Sequence, residues 1–178
     1  VDELTELAVK YGTDKGGPSL HTYTNYYYDL FKDKRNEIKK VLEIGIAEGA
    51  SLRMWRDFFP NATIYGIDID PKCLFIEDRI KTYLGDQSKA NDLVNVLKEV
   101  GSDIDIVIDD GSHVPSHQIY SCQVLMPLLQ KQVIYIIEDA FRWHTVSKHL
   151  PQYDIENPQL IQNRIIRRDN RMVVIRNK

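Results

Sequence analysis

The residues best equipped for chemistry come in short acidic clusters. Asp109-Asp110-Gly111-Ser112-His113 sets two adjacent carboxylates three residues before an imidazole. Glu138-Asp139 supplies two more carboxylates after the apolar run Val133–Ile137. If both clusters end neighbouring strands, four carboxylates crowd one edge, which is costly unless something positive lies between them. A hard divalent cation of the Mg2+ type answers that need, because it takes carboxylate oxygens and keeps waters. The alternative is that some of these acids cap helices or stay solvated. His113, with an ordinary pKa of ~6.5, suits a general base at neutral pH, although a histidine in a loop is more often a surface or capping residue. His117 follows one helical turn later.

A second set lies upstream. The segment from Glu43 to Ser51 breaks an apolar run with Gly45 and Gly49, which allow a tight turn and close approach of a ligand. Ser51 reads as the N-cap of the helix that follows. The glycine spacing is not G-x-G-x-x-G, so a dinucleotide pyrophosphate loop is not indicated. Asp68 directly follows the run Thr63–Ile67, where a carboxylate can accept both hydroxyls of a ribose. Asp70, before Pro71, fits a helix cap instead. In Gly85-Asp86-Gln87-Ser88, Asp86 either accepts from an adenine amino group or caps the next helix.

These tips need a scaffold, and the pattern of apolar runs supplies one. Helices are predicted over Leu4–Val9, Tyr23–Lys32, Leu52–Phe59, Asp92–Val100 and Pro115–Leu129, and strands over Val41–Ile46, Thr63–Ile69, Thr82–Leu84, Ile104–Ile108 and Val133–Ile137. Strands alternating with helices mean a parallel sheet covered on both faces. Leu160–Arg168 and Arg171–Arg176 read as a closing antiparallel hairpin turned at Asp169-Asn170. The expected class is therefore α/β, doubly wound and mostly parallel, with a C-terminal antiparallel hairpin. Residues 1–39 are expected to form a helical segment, in part a lid hinged at Gly12, Gly16 and Gly17, and residues 40–178 the ligand-binding domain. A plain helix packed on the sheet is the equal alternative for the first segment.

Bulk properties bound the function. The 178 residues are 43% hydrophobic and 28% charged, which fits an ordinary globular chain. A formal net charge of -3 gives no electrostatic reason to expect nucleic acid or an anionic membrane as partner. The arginines at 164, 167, 168 and 171 read as a solvated hairpin face. Two cysteines, Cys73 and Cys122, make no disulfide framework and suit a reducing, cytoplasmic setting. No run approaches the ~20 apolar residues of a membrane span, and no signal peptide is visible. The chain opens on Val1 rather than Met, so a longer protein around it is expected.

Taken in order, these motifs carry a resemblance. The stretches are Tyr11-Gly12-Thr13-Asp14-Lys15 with His21 and Tyr23, Leu42-Glu43-Ile44-Gly45, Ser51-Leu52-Arg53-Met54-Trp55, Gly66-Ile67-Asp68, Gly85-Asp86-Gln87, Asp109 to His113, and Ile137-Glu138-Asp139. The chain resembles class I S-adenosylmethionine-dependent methyltransferases. More narrowly it is similar to the macrocin and mycinamicin sugar O-methyltransferases and their cephalosporin-hydroxylase-like relatives. The resemblance implies a Rossmann-like sheet, S-adenosylmethionine held by Glu43, Gly45, Ser51, Asp68, Asp86, Gln87 and Asp109, and Mg2+ or Mn2+ on Asp110 and Asp139, with Glu48 as an unsettled third ligand. It implies His113 as base, with His117 the weaker candidate. The acceptor it implies is a sugar or glycoside, with Trp143 and His144 near it; a phenol or catechol, or an NAD-dependent enzyme on the same sheet, are the alternatives. The chain is compact for such an enzyme, so parts covering the substrate are expected from another domain or from a subunit of a homo-oligomer.

Overall fold

The computed structural model describes residues 1–18, 20–161 and 170–178. Eight strands are described in one sheet: β1 Lys40–Ile44, β2 Thr63–Asp68, β3 Ile76–Glu77, β4 Ile80–Leu84, β5 Ile106–Asp109, β6 Ile134–Ile137, β7 Tyr153–Glu156 and β8 Val173–Asn177. Their order is β3-β4-β2-β1-β5-β6-β8-β7. The pairs from β4 through β6 are parallel, while β3, β8 and β7 pair antiparallel. This is a doubly wound, mostly parallel α/β sheet, as the alternating runs indicate. The strand order reverses between β1 and β5, and ligands bind such sheets outside the carboxyl ends of the strands at that reversal.

Period-two alternation assigns each strand residue to a face. Leu42 and Ile44, Val107, Tyr135 and Ile137, and Val173 and Ile175 pack under α4 Ala90–Val100, α5 Pro115–Leu125 and α6 Trp143–His149. Val41, Ile106 and Ile108, Ile134 and Ile136, and Val174 pack under α1 Glu3–Tyr11, α2 Tyr23–Phe31 and α3 Ala50–Phe58. Tyr23 and Tyr27 are 1% and 0% exposed in this second core, and Tyr26 and Tyr28 pack partly buried against it.

Several expectations need correction. Strand β8 lies where a strand is predicted, but its described partners are β6 and β7, and Tyr153–Glu156 drew no strand prediction. Leu160 and Ile161 are coil, and residues 162–169, with most of the first predicted hairpin strand and three of the four arginines, lie outside the described residues. The helix predicted to start at Ser51 is capped by Gly49 in the left-handed region (φ 76), with no side-chain cap. Helix α5 gives way to a 3-10 turn at Met126–Leu128, because Pro127 cannot continue an α-helix.

One surface cluster fastens α1 to α3. The Asp57 carboxylate accepts from Lys10 Nζ (3.0 Å), Tyr11 Oη (2.5 Å) and Arg56 Nε (3.1 Å). Partial burial pushes its pKa up, but the three donors outweigh it and bring the group down to about 2. A depressed carboxylate stabilises fully above its ordinary 3.8 and loses that contribution as pH falls through about 2. Hydrogen exchange of the α1 amides should therefore accelerate over that acid window. In Asp57→Asn the protection should already be reduced at neutral pH, and identical acid profiles for the two proteins would remove Asp57 as the fastener.

Candidate active site

Two adjoining cavities open at the reversal between β1 and β5. The narrower, about 290 Å3, is lined by Gly45, Ile67, Asp68, Asp86, Gln87 and His117 among others. The wider, about 520 Å3, is lined by Thr13 and Asp14 of the N-terminal loop and by Glu48, Asp110, His113 and Asp139. Gly45, Asp68 and Gly111 line both, so the two form one cleft. Gly45 has φ 93, and a side chain there would collide with the backbone carbonyl of Asp110. Asp68 shapes the same corner: its Oδ2 accepts from the amides of Ile46 (2.8 Å) and Ala47 (3.3 Å).

Strand alternation separates the two adjacent aspartates. Asp109 faces the α4–α6 side, fully buried, and accepts from Gln87 Nε2 (3.0 Å to each oxygen) and Ser121 Oγ (2.8 Å). Asp110 falls on the opposite side, with Glu43 and Glu138. There the Lys15 ammonium lies 2.6 Å from Asp110 Oδ2, 2.6 Å from Glu138 Oε2 and 3.4 Å from Glu43 Oε1. Glu43 also accepts from Ser51 Oγ (2.6 Å) and Trp55 Nε1 (2.5 Å), and Glu138 from Tyr27 Oη (2.5 Å). Burial alone would push Lys15 toward its neutral form, but the three carboxylates outweigh it and hold the ammonium charged well above its ordinary range. Burial pushes Glu138 well up, and the like charges of Asp110 and Glu43 add to this, since one ammonium faces three carboxylates. Removing one partner of a buried ion pair costs about 3–5 kcal/mol.

Asp110, His113 and Asp139 bring one ligand atom each to within 4.8 Å of one another, a spacing that a single cation can bridge. The two aspartates share a division of labour. Asp110 turns Oδ2 inward to Lys15, and its Oδ1 lies 3.9 Å from His113 Nε2. Asp139 turns Oδ1 toward the Tyr23 hydroxyl (2.5 Å) and His21 Nε2 (3.7 Å), and its Oδ2 lies 3.5 Å from His113 Nε2. One oxygen of each is anchored and the other faces the imidazole. Asp139 and His113 both have positive φ, 49 and 56. Such backbone costs of order 1–3 kcal/mol per residue and collects at functional sites. Two carboxylate oxygens with an imidazole beside them suit Mg2+ or Mn2+.

The other residues singled out in the sequence fall into two groups. Gly45, Ser51, Asp68, Asp86 and Gln87 line the cleft. Asp86 does not cap α4, whose N-cap is Lys89 with no side-chain bond; it closes a local turn instead, accepting from Ser88 N (2.9 Å) and Ser88 Oγ (2.6 Å). Glu43 and Asp109 are fully buried and are not among the residues that line it; their oxygens hold Ser51, Trp55, Gln87 and Ser121. Glu48 lines the wide cavity but is not part of the cation cluster. His117 faces the narrow cavity, with Nδ1 3.0 Å from Ser112 Oγ, so it does not converge with His113. Trp143 packs partly buried against the core, with the His144 ring tilted against it at 3.5 Å between centroids, and neither lines either cavity. Lys15 and Tyr23 stand in the motifs that carry the resemblance, but their contacts with the acidic cluster, and that of Tyr27, are what sequence reasoning missed. The available signal was the four-residue spacing of the two tyrosines, which puts both on one helix face.

No protein-family model matches the chain. The mycinamicin VI 2''-O-methyltransferase of Micromonospora griseorubida is 43% identical over 146 residues, which are 78% of this chain and 36% of the relative. The demethylmacrocin O-methyltransferase of Streptomyces fradiae is also 43% identical over 146 residues, with the same two coverages. The chain is a relative of the macrocin and mycinamicin sugar O-methyltransferases. Among solved structures, the MycE methyltransferase of the mycinamycin biosynthetic pathway, in complex with Mg, SAH and mycinamycin VI, matches at a TM-score of 0.81 and 31% identity, over 99% of this chain and 54% of that one. The chain thus spans 36% of the length of the curated sugar O-methyltransferases it matches. Among the described residues no helix is long and apolar enough to cross a membrane.

The buried setting of Asp109 makes a separable prediction. Asp109→Asn keeps the shape but loses an acceptor facing Gln87 and Ser121. It should lower the unfolding free energy by about 1–3 kcal/mol, measured by urea denaturation. Unchanged stability with lost affinity for S-adenosylhomocysteine would instead return Asp109 to direct contact with the cofactor.

Proposed function

We propose that this chain is the catalytic domain of an S-adenosylmethionine-dependent O-methyltransferase acting on a hydroxyl of a sugar or glycoside, assisted by one divalent cation, Mg2+ or Mn2+. The observation that carries this reading is the cluster of Asp110, His113 and Asp139 in the wall of the wide cavity, beside a nucleoside-sized cleft at the strand reversal. The kinship with the sugar O-methyltransferases supports it.

The residues divide the work. Asp68 accepts from the ribose hydroxyls and Asp86 lies by the adenine, while Gly45 lets the backbone approach the amino-acid end of the cofactor. Asp110 and Asp139 hold the ion. When bound, the ion lowers the pKa of an acceptor hydroxyl next to it. His113 Nε2 takes the hydroxyl proton as the oxygen bonds the methyl carbon and the carbon–sulfur bond breaks, leaving S-adenosylhomocysteine. Thr13 and Asp14 close the wide cavity on the acceptor side and limit water near the sulfonium.

Methyl transfer from labelled cofactor to a panel of glycosides and nucleotide sugars tests the reading. Activity should vanish in chelator and return with Mg2+ or Mn2+, with calorimetric binding of S-adenosylhomocysteine largely kept; full activity in chelator would sink the metal assignment. Asp110→Asn and Asp139→Asn should behave like chelation. His113→Ala should keep cofactor and ion binding but lose about 10²–10⁴-fold in rate, with partial recovery as pH rises and hydroxide replaces the base. Near-normal turnover in that variant, with chemistry rate-limiting, would make His113 structural. Asp68→Ala should weaken cofactor binding by about 1–3 kcal/mol; an unchanged affinity would take Asp68 out of the ribose site.

A further inference from the structure

The buried ammonium of Lys15 is the charged group this mechanism leaves unused. It comes from the N-terminal loop, is 1% exposed, and touches the tips of three strands through Glu43, Asp110 and Glu138. Its neighbours on the same segment bind the same cluster: Tyr27 holds Glu138, and Tyr23 holds Asp139. Every anchored oxygen of the candidate ligands therefore ends on residues 15–27. We propose that Lys15 is a positioning residue, a built-in counter-cation that sets Asp110 and Glu138 at the strand tips before any ion arrives and so ties docking of the N-terminal segment to the occupied cation site. This rests on the cation site proposed above.

The physical consequence is a change in who supplies positive charge. With Lys15 present, part of the carboxylate repulsion is already balanced, and a divalent ion adds only modestly to stability. Without it, the ion becomes the main source of compensation. A lysine that merely filled space would show no such exchange, because methionine keeps most of its stem.

Lys15→Met is the test, with thermal melting in chelator and in Mg2+. In chelator the variant should melt about 10 °C below the native chain. Mg2+ should restore at least half of that loss while raising the native melting temperature by much less. Adding Glu138→Gln to Lys15→Met removes one surplus charge and should recover stability in chelator without any ion. Equal losses in chelator and in Mg2+, or a double variant no more stable than Lys15→Met, would overturn the proposal. Should Lys15→Met not fold in chelator, its folding in Mg2+, and folding of the double variant without Mg2+, count for the proposal; failure in all three conditions counts against it. Equilibrium dialysis of the native chain with Mn2+ keeps the two readings apart. No bound Mn2+ would defeat the cation site, whereas the charge rescue by Glu138→Gln in chelator judges Lys15 on its own.

Discussion

Three carboxylates share one buried ammonium, and the site is arranged around that imbalance. Glu43, Asp110 and Glu138 end different strands, and nothing in a parallel sheet would by itself keep three like charges together in its core. Lys15 does so at 2.6 to 3.4 Å. Neutral donors from Ser51, Trp55 and Tyr27 take the remaining inward oxygens. The surplus negative charge then has one direction left, outward, where Asp110 and Asp139 meet His113. Uncompensated negative charge at a cavity wall is what would draw a cation to the proposed site.

Strand alternation does the rest of the sorting. Asp109 and Asp110 are neighbours in the chain, yet one anchors Gln87 beside the narrow cavity and the other faces Lys15 across the sheet. Two compartments with different chemistry are thereby built from a single strand end. At β6 the alternation would send Glu138 and Asp139 to opposite sides as well. The left-handed backbone at Asp139 coincides with its side chain rejoining Asp110.

Much of this was legible in the sequence. The parallel strands announce themselves as short apolar runs ending in glycine or acid, and Asp68, Asp86, Asp110, His113 and Asp139 were marked by standing at those ends. Strand β7 was missed because Tyr153-Asp154-Ile155-Glu156 is a half-exposed edge strand with only two apolar residues. Lys15 was illegible for a different reason. A lysine in a glycine-rich turn looks solvated, and two of the acids that bury it lie 95 and 123 residues further along. Reading parity along β1, β5 and β6 would have put Glu43, Asp110 and Glu138 on one face and left a vacancy for a cation there. The fully buried state of Glu43 and Asp109 could not be read from position alone, because a strand tip looks the same whether its side chain points into the cleft or beneath it.

Strand β8 lies between β6 and β7, with Val173, Val174 and Ile175 wholly buried. Just before it, Asn170 accepts from the Thr22 amide and donates to its hydroxyl, beside the helix that carries Tyr23 and Tyr27. During synthesis on the ribosome, β6 has an unpaired edge until these late residues emerge, and open edges invite pairing with other chains. The segment that carries Thr22 and strand β8, made about 150 residues later, must therefore meet before the sheet is complete. A nascent chain stalled short of Val173 would hold every proposed ligand of the cation and none of the strand that closes beside them, a species for chaperones rather than for catalysis.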